Sequence, residues 1–221
     1  MVFDWQTASR ESAGIVALAH LEPKAQVQIY TAKAFSWRGK FSVHTWIATK
    51  EKNADSYLVY HVLMWGAHYG KGVVVVEKDL PDRYWYGAKP KIIFCMAGEK
   101  AEKIIPQIYA AVNSYPYQNF YRAYPGPNSN SFVSHVIRSV KGLNVVLPSN
   151  AIGKDWLCGR KFFAISESKT GVQFSFYAML GFTIGLLDGI EINIIGLSFG
   201  IDFLKPALKL PIIGRVELES V

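Results

Sequence analysis

Five short β-type runs follow one another between residues 25 and 97, and they constrain the fold more than any other feature of the sequence. The runs are AQVQIYTAKAF (25–35), FSVHTWIAT (41–49), SYLVYHVLMW (56–65), GVVVVEK (72–78) and KIIFCMA (91–97). The polar KNAD segment after the second run predicts an antiparallel hairpin with the third. The fourth run is continuously apolar, which predicts a strand buried on both faces.

Two amphipathic helices are predicted after these strands. The first spans about Glu99–Ser114 and the second about Ser129–Lys141, each with apolar residues at helical spacing. Asn128 or Asn130 is the expected N-cap of the second helix, and Gly142 is its expected end. The Tyr-, Pro- and Asn-rich segment between the helices predicts a long irregular connection of the kind that often carries function.

The last third of the chain predicts a glycine-rich β extension. Residues 171–187, 190–204 and 207–218 are interpreted as three strands, with a type I′ turn at Asp188-Gly189. Glycines within these runs suggest bulges, as at the corners of a small barrel. The predicted fold class is therefore α+β: an antiparallel sheet packed with two main helices, plus a C-terminal hairpin or barrel-like extension. We expect an irregular lead-in at 1–24, a core at 25–165 and the extension at 166–221, within one domain.

Composition excludes several classes of protein and leaves others open. The 221 residues carry a net charge of +7, which suits an anionic surface such as phospholipid. The basic residues are scattered, so a solvated basic surface is an equal alternative and the nucleic-acid signal is weak. Two cysteines without Cys-His clustering exclude a disulfide scaffold and predict no metal site. No cofactor motif is found.

No signal peptide or transmembrane segment is predicted. The longest uncharged stretch, residues 171–187, is shorter than a spanning helix and contains polar residues and glycines. We therefore expect a soluble chain, cytoplasmic by default, or facing the cell envelope if a membrane anchor is missing. The oligomeric state is left open.

Ser129 is the candidate nucleophile. It lies in the first turn of the second helix, in line with Val133 and Val136, so its hydroxyl is expected to face inward. A helix N-terminus offers partial positive charge and unpaired N–H groups, and the amides of residues 129–130 are the expected oxyanion donors. The alternative is that Asn128, Ser129 and Asn130 simply cap the helix.

His44 is the candidate base, and His61 lies on the next predicted strand. If the hairpin pairs residues whose numbers sum to 107, Trp46 faces His61 and the two histidines are diagonal neighbours on one face, about 5–8 Å apart. His61 could then orient His44, as the third member of a triad does. The alternative is one buried structural histidine and one surface histidine.

Five further residues are candidates for substrate binding. Trp46 lies beside His44 in the strand pattern, and Asn128 and Asn130 flank Ser129. Arg122, between two tyrosines, could hold an anionic group or simply pack in its loop. Asp155 could line the site or cap a turn.

Several long motifs resemble a bacterial family known only as domain-of-unknown-function family 3750. They are RESAG (10–14), FSWRGKFSVHTWIA (35–48), PGPNSNSF (125–132), AIGKDW (151–156) and GLSFGIDFLKPALKLPIIGR (196–215). More distantly, a strand histidine followed by NSNSFV at a helix start is similar to the circularly permuted papain-like superfamily, which includes lecithin–retinol acyltransferase. That resemblance implies a permuted papain-like core with His44 as base, His61 as third polar residue and Ser129 in the place of the usual cysteine.

Two functions follow as expectations. The first is a hydrolase or acyltransferase that acts through Ser129 and His44 on an amide, ester or thioester of a lipid or cell-envelope substrate. The second is a non-catalytic binding module, associated with a membrane or envelope, in which the pocket is vestigial.

Overall fold

The computed structural model describes residues 4–68, 70, 72–159 and 161–218, and it contains two antiparallel sheets with helices against the first. The first sheet has the order β4-β3-β2-β1-β5. Its strands are β1 (Gln26–Lys33), β2 (Val43–Lys50), β3 (Leu58–Val62), β4 (Val74–Lys78) and β5 (Lys91–Ala97). The mixed α+β class is confirmed, and each of the five predicted runs corresponds to one of these strands.

The predicted hairpin of β2 and β3 is confirmed in the predicted register. Ile47 pairs with Tyr60 and Thr49 with Leu58, so the residue numbers of each pair sum to 107. The prediction that β4 is buried on both faces is wrong. β4 is an edge strand whose side chains are partly buried or exposed, and Val76 is 49% exposed.

Helices cover one face of this sheet. The helices are α1 (Met64–His68), α2 (Glu99–Asn113) and α3 (Ser129–Ser139), and short 3₁₀ turns lie at Ala19–Leu21 and Ser36–Lys40. The main core lies between α2, α3 and the sheet, where side chains such as Ile29, Ile47 and Tyr60 are buried. A smaller cluster, which includes Tyr30 and Trp46, covers the opposite face. None of the described helices is both long and apolar enough to cross a membrane.

The second sheet differs from the prediction of three long strands. It is a seven-stranded meander of β6 (Phe163–Ile165), β7 (Gly171–Phe176), β8 (Leu180–Gly185), β9 (Gly189–Ile194), β10 (Leu197–Asp202), β11 (Ala207–Leu210) and β12 (Gly214–Glu217). Each predicted strand is a hairpin because the chain turns at 177–179, 195–196 and 211–213. The sheet is open, with β6 and β12 at its two edges, so the prediction of a barrel-like extension is wrong.

Candidate functional site

An aromatic cavity of about 710 Å³ lies where β1 and β3 end and where β2 and α3 begin. We call it the aromatic cavity. Its polar groups are few and come chiefly from Arg38, His44 and residues 128–130. Its aromatic lining consists of Phe35, Trp37, Phe41, Trp65, Trp85, Tyr86, Tyr121 and Tyr124. A largely apolar cavity with a few convergent polar groups is the usual form of a site for a small organic ligand.

The N-terminus of α3 is held by a reciprocal cap. The Oδ1 atom of Asn128 accepts hydrogen bonds from the backbone amides of Asn130, at 2.9 Å, and Ser131, at 3.2 Å. The backbone amide of Asn128 donates to the hydroxyl of Ser131 at 2.7 Å. Asn128 is therefore the N-cap, and the polar residues at this junction do cap the helix as the structural alternative expected.

Ser129 lies at the first position of α3 and lines the aromatic cavity. Within the described part of the chain, neither its hydroxyl nor its backbone amide has a hydrogen-bond partner. The prediction that the amides of residues 129 and 130 both serve an oxyanion needs correction, because the amide of Asn130 is taken by Asn128. One amide, that of Ser129, remains free to bind an anionic oxygen.

Asn130 lines the cavity and also joins three elements. Its Oδ1 atom accepts from the Thr45 hydroxyl at 2.9 Å, and its Nδ2 atom donates to the carbonyls of Val43 at 2.9 Å and Ile152 at 2.8 Å. Both donor hydrogens of the amide are therefore engaged. Asn130 fixes the cavity wall, and its side chain has no free donor for a ligand.

His44 also lines the aromatic cavity, but from the other face of β2. Its neighbour Thr45 contacts α3, and successive strand residues point to opposite faces. The imidazole stacks on Trp85 with ring centroids 3.7 Å apart. Its Nε2 atom is buried and has no hydrogen-bond partner among the described residues. Burial, followed by the nearby His61, lowers the pKa of His44 well below 6.5, so the ring is neutral at pH 7.

The structure places His61 near His44 but pairs it with another residue. The two ring centroids are 6.5 Å apart, within the predicted separation. The Nε2 atom of His61 lies 3.0 Å from Oε1 of Glu77, and no hydrogen bond joins the two histidines among the described residues. His61, Trp46 and Glu77 line a smaller neighbouring cavity of about 230 Å³. The hydrogen bond from His61 lowers the pKa of Glu77.

Three predicted binding residues do not line the aromatic cavity. The Trp46 indole donates to the Pro81 carbonyl at 2.9 Å. Arg122 is exposed, with its guanidinium 5.5 Å from the centre of the Phe120 ring. Asp155 is buried beneath the second sheet, where it accepts a hydrogen bond from Asn193 at 2.6 Å. These positions favour structural roles for Trp46 and Asp155.

Sequence reasoning missed most of the aromatic lining. Trp85 and Tyr86 come from the loop after β4, and Trp65 comes from α1. Nothing in the sequence places these distant segments together. Trp37 and Arg38 lie in the motif at 35–48 that resembles the family, and that motif was the one sequence signal that could have indicated them. Within the described residues, no group of three or more His, Cys, Asp or Glu side chains could hold a metal ion.

Comparison with known proteins identifies the family and no activity. The model of one protein family matches residues 24–156, which is more than half of the chain and includes β1 to β5, α1 to α3 and the cavity residues 128–130. No curated protein and no solved structure matches the chain. The chain therefore belongs to the family described as protein of unknown function DUF3750.

Proposed function

We propose that this protein binds an amphiphilic molecule with an acyl chain, such as a lipid or an acylated envelope component, in the aromatic cavity. The observation that carries the proposal is the composition of the cavity: eight aromatic side chains of the described residues surround about 710 Å³, and the few polar groups include residues 128–130 at the start of α3. The apolar walls suit the chain of the ligand. The free amide of Ser129 and the nearby Arg38 suit its carbonyl or anionic head.

Titration with a fluorescent long-chain fatty acid tests this proposal. Ala34 lines the cavity, so Ala34→Trp fills part of it and is expected to weaken binding by about tenfold or more. Ala54 lies in the β2–β3 turn, outside the residues that line the cavity, and Ala54→Trp is the matched control. Equal affinities for Ala34→Trp and the unaltered protein would place the ligand elsewhere and reject the proposal.

A second candidate function, acyl hydrolysis or transfer in the same cavity, is favoured by Ser129. Within the described residues, the hydroxyl and the amide of Ser129 have no partner and lie together at a helix N-terminus, which supplies a nucleophile and one oxyanion donor. In this candidate, Ser129 Oγ bonds to the acyl carbon while its proton passes to a His44 ring nitrogen. The leaving group departs with that proton, and water or an acceptor then takes the acyl group.

The position of His44 makes catalysis the second candidate. The two side chains approach the cavity from opposite faces of β2, no hydrogen bond joins them, and Nε2 of His44 is buried. A neutral imidazole has the correct protonation state for a base, but its low pKa weakens its pull on a proton. Catalysis therefore requires the His44 ring to approach Ser129 when substrate binds.

A fluorophosphonate probe and a chromogenic acyl ester distinguish the two candidates. Catalysis predicts that labelling and turnover are lost in Ser129→Ala and retained in Ser139→Ala, at the other end of α3. It also predicts that His44→Phe lowers turnover by about 100-fold or more. Labelling that persists in Ser129→Ala rejects Ser129 as the nucleophile. If the protein binds the fatty acid but shows neither labelling nor turnover, the binding function is supported and the catalytic function is rejected.

A further inference from the structure

The outward face of the second sheet is entirely apolar from β6 to β11. Three rows of side chains cross the sheet from strand to paired strand, and each member is aliphatic or aromatic. The central row contains Phe163, Phe174, Phe182, Ile192 and Phe199. We call this surface the apolar outer face. Its area is on the order of 1,000 Å², above the roughly 300–600 Å² of the largest apolar patch on a typical monomer.

The opposite face of the same sheet is polar and buried. Thr183, Glu191, Asn193 and Lys209 point inward, where Glu191 forms an ion pair with Lys154. A sheet on a soluble domain normally turns its apolar side inward. Because a shift of one residue would exchange the two faces, the inward hydrogen bonds and ion pairs hold the apolar residues outward. Isolated apolar residues are common on protein surfaces, but a continuous face of them is not. We therefore expect another molecule to cover the outer face.

Apolar residues also occupy the turns at both ends of the sheet. They are Leu186, Leu187, Phe203 and Leu204 at one end, and Ile195, Ile212 and Ile213 at the other, and all are exposed. A second copy stacked flat on the outer face would cover the strands and leave these turns in water. A lipid surface accommodates both, because the turns can enter the same apolar layer as the face.

The exposed charges near this sheet favour an anionic surface. Glu167, Asp188 and Glu191 are buried on the inward side, and exposed Glu217 is ion-paired with Arg215. Lys161 and Lys205 are exposed, and no ion pair is formed by either within the described chain. The whole chain carries a net charge of +7. Among the described residues near this sheet, Asp202 and Glu217 are ion-paired with Arg215, whereas Lys161 and Lys205 remain available to anionic lipid headgroups.

We propose that the apolar outer face and its turns dock this protein on a lipid bilayer that contains anionic lipid. The face is continuous with the site, since Ile195 and Leu197 at one end of the sheet also line the aromatic cavity. Docking on the bilayer brings that wall of the cavity close to the lipid. The docking itself does not depend on what the cavity binds.

Flotation with vesicles of phosphatidylcholine, with and without phosphatidylglycerol, tests the proposal. The unaltered protein is expected to float, and to float better with phosphatidylglycerol. Phe182→Gln/Ile192→Gln, in the centre of the face, is expected to reduce partitioning by about tenfold or more. Phe203→Gln/Leu204→Gln, in a turn, is expected to reduce it as well. Val76→Gln is the control, because Val76 on β4 is as exposed as Ile192 but lies on the other sheet.

Each outcome is decisive once circular dichroism shows that the variants are folded. Failure of the unaltered protein to float with either vesicle overturns the proposal. So does flotation that Phe182→Gln/Ile192→Gln leaves unchanged. Sedimentation as a dimer that this variant dissociates, without flotation, assigns the face to a second copy instead. Ala34→Trp changes the cavity and not the outer face, so it should float like the unaltered protein. Flotation therefore tests docking independently of ligand binding in the cavity.

Discussion

His44 is the residue whose protonation the fold controls most strongly. Its ring lies between β2 and Trp85, with His61 beside it, and neither neighbour offers a negative charge to the buried Nε2 atom. Burial therefore disfavours the imidazolium, and the pKa falls well below 6.5. In the unfolded chain, the same side chain titrates near its ordinary pKa. The difference makes stability depend on pH whatever the role of His44 in the cavity.

We predict that His44→Phe flattens the pH dependence of stability below about pH 6.5. In that range the unfolded chain binds a proton at His44 and the folded chain does not, so the free energy of unfolding falls as pH falls. The contribution of His44 approaches about 1.4 kcal/mol per pH unit until its folded pKa is reached. Phenylalanine keeps a ring against Trp85 and cannot be protonated. Urea unfolding at a series of pH values measures the slope.

His20→Phe provides the control, because His20 is exposed. The lowered pKa of partly buried His135 contributes to the slope in every variant and cancels in the comparison. If His44→Phe retains the slope of the unaltered protein, His44 is not held neutral by burial.

At the scale of elements, the β9–β10 turn departs from the residues that such turns prefer. Ile195 and Gly196 form a two-residue connection, with φ angles of 52° and 74°. A β-branched residue is strained at positive φ, whereas asparagine tolerates it and Asn-Gly is the preferred pair for this turn. Gly196 is needed, since an added Cβ would lie 2.8 Å from the Tyr124 ring. The isoleucine therefore costs stability at a position that our proposal assigns to lipid contact.

We predict that Ile195→Asn raises the free energy of unfolding in solution by about 1 kcal/mol. The same variant should float less well with vesicles, because it removes an apolar turn residue. Ile190→Asn is the control: Ile190 is an exposed residue within β9, and asparagine is unfavourable in a strand. Urea unfolding and flotation measure the two effects. An Ile195→Asn variant that is no more stable than the unaltered protein contradicts this account.

Turn chemistry also explains which elements the sequence predicts. The β2–β3 register is predictable because KNAD is a polar turn between two alternating runs. The second sheet is harder because its turns contain Tyr177-Ala178, Ile195 and Ile212, which continue the apolar pattern of the strands. The N-cap at Asn128 is a local signal and is predictable. The face from which His44 reaches the cavity depends on which side of the sheet α3 covers, and no local pattern contains that information.

At the scale of the whole molecule, a buried polar layer joins the second sheet to the rest of the chain. Lys154, in the segment after α3, forms an ion pair with Glu191 of β9 and lies 3.6 Å from Asp155. Lys209 of β11 is 3.7 Å from the same glutamate. Burial alone would lower the pKa of Lys154, but the carboxylates of Asp155, Glu191 and Glu167 raise it above its ordinary value. The lysine is therefore charged, and its charge is balanced by buried carboxylates.

We predict that Lys154→Met lowers the free energy of unfolding by about 3–5 kcal/mol, because it leaves Glu191 and Asp155 buried with too little positive charge. Lys154→Met/Glu191→Gln removes one charge of each sign from the ion pair, so the net charge of the buried layer is unchanged, and the double variant should recover much of the loss. Urea unfolding of both single variants and the double variant gives the coupling energy between the two side chains. Lys205→Met, at an exposed position, controls for the loss of a surface charge. A buried ion pair often contributes little net stability compared with apolar residues in its place. If the double variant is as unstable as Lys154→Met, the loss of stability arises from packing, and charge balance does not hold the second sheet in place.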